Sequence, residues 1–147
     1  MIILGIDPGT KISGWALLDT AMNAVVESGV ADNDQLLYGI RDMPADVMAI
    51  EVFEARGMPI GEDSIETILF TGRLMQAWPN ALRRVRRSQI KLHLCGTSRA
   101  KDGNIRQALI DRFGKPGTKK NPGGTYGVTS HAWAALAAAV TSIEIQP

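Results

Sequence analysis

The order of apolar and polar positions along the chain predicts a strand meander followed by alternating strands and helices. "IILGID" (residues 2–7) is a continuous apolar run of the kind buried on both faces of a sheet. "SGWALLD" and "AVVESGVAD" follow as two more strands, joined by turns around Pro8-Gly9 and Met22-Asn23. "DVMAIEVFEA" (46–55) reads as a fourth strand, apolar enough for a central position, and "GMPIG" breaks the chain after it. Asp63 and Glu66 stand at capping spacing and open a helix over 63–78. Ile65, Ile68, Leu69, Gly72, Met75 and Trp78 lie along one face of it, and Pro79 marks its end.

Beyond the basic "RRVRR", the run Gln89–Cys95 alternates apolar and polar residues and predicts a fifth strand. "DGNIRQALIDRFG" predicts a helix with Ile105, Ala108, Leu109 and Phe113 inward and Gly114 as its stop. The Gly-, Pro- and Lys-rich stretch after it predicts a mobile basic loop, and an Ala-rich helix follows over about 130–141. These elements fit an α/β three-layer fold, a five-stranded mixed sheet with helices on both faces, and the 147 residues suit a single domain.

Composition narrows the chemistry. Cys95 is the only cysteine, which excludes an internal disulfide and predicts a reducing, cytoplasmic setting. The first apolar run has no basic leader, and the Ala-rich stretch is too short to span a bilayer, so no membrane role is expected. The formal net charge of +1 conceals an asymmetry. Residues 1–72 carry three bases against twelve acids, net −9, whereas residues 73–147 carry thirteen bases against three acids, net +10. An acidic half that gathers cations joined to a basic half that grips a polyanion is the distribution of a metal-dependent enzyme acting on nucleic acid; two ordinary solvated surfaces give the same count.

Asp7 ends the first strand beside a glycine turn, Glu51 interrupts the apolar "VMAI" run, and His131 stands at the start of the last helix. If the first and fourth strands are neighbours, the two acids converge, and a helix crossing the sheet brings the imidazole to them. Two carboxylates facing each other raise a pKa unless a divalent cation lies between them, and Mg²⁺ prefers such oxygen ligands.

"ILGIDPGTKISGWAL", "AIEVFEA", the "DSIETILFTGRLMQA" helix and the late "SHAWAALAAAV" helix resemble, in order, a RuvC-type Holliday junction resolvase of the ribonuclease H-like superfamily. The shorter, phage-type members are most similar, through "KLHLCGTSRAKDGNIRQALIDRFG" and the lysine-rich loop. The resemblance implies a ribonuclease H-like fold and a Mg²⁺-dependent endonuclease, with Mn²⁺ able to substitute and no small-molecule cofactor. Its substrate would be branched DNA such as a four-way junction in recombination and repair, cut by a homodimer. It assigns Asp7 and Glu51 as metal ligands and His131 as ligand or base. The family's last helix offers a second ligand three residues on; here that position is Ala134, which binds nothing.

Two rivals follow: a structure-specific branched-DNA-binding protein that has lost cleavage through Ala134, and a YqgF-like nuclease acting on RNA, which shares "GIDPGTK". DNA contacts are expected from Arg83, Arg84, Arg86 and Arg87, from Arg99, Lys101 and Arg106, and from Lys115, Lys119 and Lys120. Tyr126 and Phe53 are weaker candidates to touch DNA, and Trp15, Trp78 and Trp133 are expected in the core.

Overall fold

The computed structural model describes residues 1–145 and contains one five-stranded mixed sheet. β1 (Ile2–Asp7), β2 (Ile12–Asp19) and β3 (Ala24–Asp32) form the antiparallel meander. β4 (Val47–Val52) pairs in parallel with β1, and β5 (Ala81–Arg86) in parallel with β4, giving the order β3-β2-β1-β4-β5. Strand alternation divides the apolar residues between two cores. Leu4, Ile6, Leu17, Met48 and Ile50 face one side, where α1 (Asn33–Gly39), a 3-10 turn at Ile40–Asp42 and α2 (Glu62–Ala77) cover them with Leu36, Ile40, Phe70 and Leu74. Ile3, Ala16, Leu18, Val47, Ala49 and Val85 face the other side, under α3 (Arg87–Cys95), α4 (Asp102–Phe113) and α5 (Ala132–Ile145). The expected layering, with helices on both faces, is what the chain adopts.

α5 is apolar all round because it is buried all round. It lies on β1 and β2 with α3 and α4 against its flanks, and residues 135–140 have no exposed surface. Its small side chains meet glycines in the sheet. A Cβ on Gly5 would stand 2.0 Å from the Ala135 carbonyl oxygen, and one on Gly14 would stand 2.3 Å from the His131 carbonyl. Gly14→Ala is therefore expected to destabilise the chain by about 1–3 kcal/mol, since helix and sheet must separate to admit a methyl group. Denaturant unfolding of the two proteins checks this, and equal midpoints would contradict the close approach.

Three expectations need correction, and one short helix is an addition to them. The fifth strand is Ala81–Arg86, and Gln89–Cys95 belongs to α3. The apolar alternation of Ile90, Leu92 and Leu94 misleads because only Ile90 and Leu94 pack inward, at helical spacing, while Leu92 is exposed. The arginine-rich segment can be a strand because it is the sheet edge, where one face remains in solvent.

α2 carries two apolar stripes rather than one. Phe70, Thr71 and Leu74, with Trp78 just beyond the helix, meet the sheet, whereas Ile65, Ile68, Leu69 and Gly72 face outward. α1 and the turn after it, residues 33–42, were not predicted; their polar first residues, Asn33 and Asp34, masked the buried pair Leu36 and Ile40.

Finally, the glycine-rich segment after α4 is knitted rather than loose. Gly117 bridges to Pro122, the Gly123 amide donates to the Pro116 carbonyl at 2.8 Å, and the buried Thr125 hydroxyl donates to the Gly114 carbonyl at 2.7 Å. Trp78 and Trp133 are buried as expected, and Trp15 is half-buried.

Candidate active site

Asp7 follows Ile3 and Gly5 on the α5 side of β1, and Glu51 follows Val47 and Ala49 on the same side of β4. The parallel register sets Ile6 beside Ile50, so the next residues, Asp7 and Glu51, stand beside each other at the carboxyl ends of the two central strands. The polypeptide after Asp7 is fixed by a small buried network that sequence reasoning missed. The Gly9 amide donates to Ser13 Oγ (3.0 Å), the Ser13 hydroxyl donates to Asn33 Oδ1 (2.7 Å), and Asn33 Nδ2 donates to the Gly9 carbonyl (2.9 Å). A serine and an asparagine twenty residues apart leave no signal in sequence without knowledge that β3 ends beside the turn.

The close seating of α5 on Gly5 and Gly14 brings in the third residue. His131 immediately precedes α5, its carbonyl accepts from the Ala135 amide, and its ring Nδ1 lies 3.0 Å from Asp7 Oδ2. Ala134, one helical turn on, lines the same open cleft of about 640 Å³ as Asp7, Glu51 and His131. The expected convergence of Asp7, Glu51 and His131 is what the fold produces, with Ala134 beside them in the cleft.

Arg87, at the start of α3, enters this site. Its guanidinium is in ion-pair contact with Glu51 at 3.5 Å, outside hydrogen-bond geometry, so Glu51 Oε2 is buried with no hydrogen-bond partner; it also pairs with Asp102. Burial raises the Asp7 carboxyl above its usual range, opposed by the hydrogen bond and charge of His131. Burial, and then the neighbouring Asp7 charge, raise Glu51 to about 7, opposed by Arg87.

An acid pair that resists full ionisation, with an orphaned oxygen, suits a divalent cation. Among the described residues no group of three His, Cys, Asp or Glu side chains is set to hold an ion unaided. Two carboxylates with water and substrate phosphate completing the shell is nevertheless a usual Mg²⁺ arrangement. Asp7 and Glu51 fit that role.

The remaining basic residues divide by position. Arg106 lines the cleft of Asp7 and Glu51 and lies over the Trp133 ring at 4.9 Å. Arg83 donates to the Ser142 carbonyl at 3.1 Å and ties β5 to α5. Arg84 and Arg86 line a separate cleft with Val52, Leu82 and Gln89. Arg99, Lys101, Lys115, Lys119 and Lys120 are exposed and do not line the cleft of Asp7 and Glu51. Glu54 caps α3, accepting from the Ser88 hydroxyl at 2.7 Å and from the Ser88 amide at 3.4 Å. Phe53 and Tyr126 are both exposed.

No family model and no curated protein matches the chain. Solved structures do. RuvC of Thermus thermophilus is 18% identical over 96% of this chain and 92% of its own, with a TM-score of 0.59. The structure of T. thermophilus RuvC in complex with Holliday junction substrate is 17% identical over the same shares, with a TM-score of 0.66. At such identity the likeness is one of fold, and the chain has a RuvC-like, ribonuclease H-like α/β fold with a five-stranded mixed sheet.

Proposed function

We propose that this chain is a metal-dependent endonuclease that hydrolyses phosphodiester bonds in branched DNA, with Asp7 and Glu51 holding Mg²⁺ or Mn²⁺. The observation that carries the reading is the side-by-side placement of two half-buried acids on adjacent parallel strands with His131 on Asp7, at the mouth of an open cleft. The fold shared with a RuvC that was captured on a Holliday junction supports the choice of substrate.

Within this reading Asp7 and Glu51 would hold the cation, whose chemistry when bound would be to activate water and offset charge on the departing oxygen. His131 orients Asp7 through Nδ1, and because 45% of its side chain is exposed its other ring nitrogen can take the proton of the attacking water. Arg106, stacked on Trp133, guides the phosphate chain into the cleft. A four-way junction has two-fold symmetry, so paired cuts call for a homodimer. The outward stripe of α2, Ile65, Ile68, Leu69 and Gly72, supplies an apolar surface for it. A cytoplasmic setting completes the reading; among the described residues no helix is long and apolar enough to cross a membrane.

Labelled four-way junction, linear duplex and RNA hairpin, each incubated with Mg²⁺, test the proposal together. Paired nicks confined to the junction are expected. Junction binding without cutting favours the binding-protein reading, which the bare Ala134 position in the cleft would explain, and cutting of the RNA alone favours the ribonuclease.

The exposed loop lysines supply a further prediction. Replacing Lys115, Lys119 and Lys120 by Ala should reduce the slope of log K against log salt by about 2 to 3, one unit per lost phosphate contact. Junction binding measured across a salt series checks it, and an unchanged slope would remove the loop from the interface.

A further inference from the structure

The position of Arg87 is not what phosphate steering alone requires. It occupies the wall shared by two clefts, one containing Asp7, Glu51 and His131, the other Asp7, Glu51 and Thr71. Its guanidinium touches Glu51, whose side chain is 14% exposed, and Asp102, whose side chain is 84% exposed. The Asp102 contact is open to solvent and readily given up. The Glu51 contact places a fixed positive charge inside the site, beside an oxygen that has no hydrogen-bond partner. Ala134 lines the same cleft with a methyl group and adds no carboxylate to Asp7 and Glu51.

Charge balance connects these facts. The cleft that holds Ala134 is lined by Asp7, Glu51, Asp102, Arg87 and Arg106. The three acids and one phosphodiester bring four negative charges, which the two arginines and one divalent cation balance, whereas a second divalent cation would overshoot by two. The geometry points to Arg87 as a catalytic group that replaces a second metal ion, so that the site works with one divalent cation and one guanidinium. This inference rests on the reading of the site as a metal-dependent phosphodiesterase.

As water adds to phosphorus and the bond to the 3′ oxygen breaks, the water proton passes to His131 and the departing oxygen takes one from solvent. The charge that builds on the phosphoryl oxygens is met by the N–H donors of Arg87, which exchange Asp102 for phosphate. The guanidinium needs no water stripped from it and stands in place before the substrate arrives. Arginine also keeps its charge at any working pH.

The test has two readouts, one of which needs no DNA. Mn²⁺ binding to the free protein by calorimetry should give one ion per chain. Arg87→Gln should keep that stoichiometry and bind the ion several-fold more tightly, because the competing charge on Glu51 is gone. In single-turnover cleavage of four-way junction with Mg²⁺, Arg87→Gln should be slower by about 100-fold or more, and Arg87→Lys, which keeps the charge without the fork, should recover part of the loss.

Two Mn²⁺ ions per chain in the unaltered protein would overturn the inference. So would Arg87→Gln with both Mn²⁺ affinity and cleavage unchanged. If the unaltered protein cuts no branched DNA, the functional reading fails, while the Mn²⁺ stoichiometry and the effect of Arg87→Gln on affinity still decide whether one cation and one guanidinium share the site. Melting curves for both variants show whether each is folded, and Arg87→Lys keeps the comparison intact should the glutamine variant unfold.

Discussion

Glu51→Gln is expected to make the metal-free protein more stable at pH 8, by up to about 3 kcal/mol, and to change nothing at pH 4. Glu51 is raised from 4.5 to about 7, chiefly by burial and then by the Asp7 charge beside it. Between those two values the folded chain binds a proton that the unfolded chain has released, so stability falls as pH rises through the window. Below it Glu51 is neutral in both states; above it the folded chain carries the full cost of a buried, poorly compensated charge. A glutamine never carries that cost. Denaturant melts in EDTA at pH 4 and pH 8 measure the difference, and added Mg²⁺ should narrow it by stabilising the carboxylate of the parent. A parent and variant that keep the same gap at both pH values would show that Glu51 is not held beside Asp7 in a water-poor site.

Asp7→Asn should abolish cleavage, by at least about 10³-fold, and leave junction binding equal or tighter. The carboxylate is central to the site: it neighbours Glu51 across the β1–β4 register, and His131 Nδ1 is fixed on its Oδ2 at 3.0 Å. Asparagine keeps the shape and loses the charge, so the cation loses a ligand and the DNA phosphates lose a repelling neighbour. Cleavage and gel-shift affinity measured on one substrate separate the two effects. A variant that cuts normally would remove Asp7 from the chemistry, and one that neither cuts nor binds would point to a misplaced α5 rather than to a lost ligand.

The parts of this site that sequence made legible are those in which one residue breaks a local pattern. An acid closing the run "IILGID" and another inside "VMAIEV" are conspicuous because a charge costs most where its neighbours are apolar. Strand order then follows from ordinary connections, since a meander extended by a parallel strand beside β1 sets the acids together. His131 was legible only through the Ala-rich helix that carries it.

What stayed hidden depends on tertiary partners. Arg87 looks like one of several arginines in "RRVRR", and it becomes distinct only because β5 ends at Arg86 and α3 begins there, which turns one guanidinium towards Glu51 while its neighbours stay on the sheet edge. The misplacement of the fifth strand onto Gln89–Cys95 concealed this. The apolar stripe of α2 fits a dimer interface or a core face equally well in sequence, because apolar spacing alone cannot tell an exposed stripe from a covered one, and in the structure Ile65, Ile68 and Leu69 are exposed. The Ser13–Asn33 network holding the Gly9 turn joins segments that no local rule connects.

Asp7 and Glu51 are proposed as a cation-dependent cutting site for branched DNA. The most direct test is single-turnover nicking of end-labelled four-way junction by the unaltered chain as Mg²⁺ is raised from zero, with EDTA as the blank. Nicking that is absent in EDTA, rises with Mg²⁺ to saturation and falls symmetrically on two opposing strands is the predicted result, and cleavage that proceeds equally well in EDTA would contradict it.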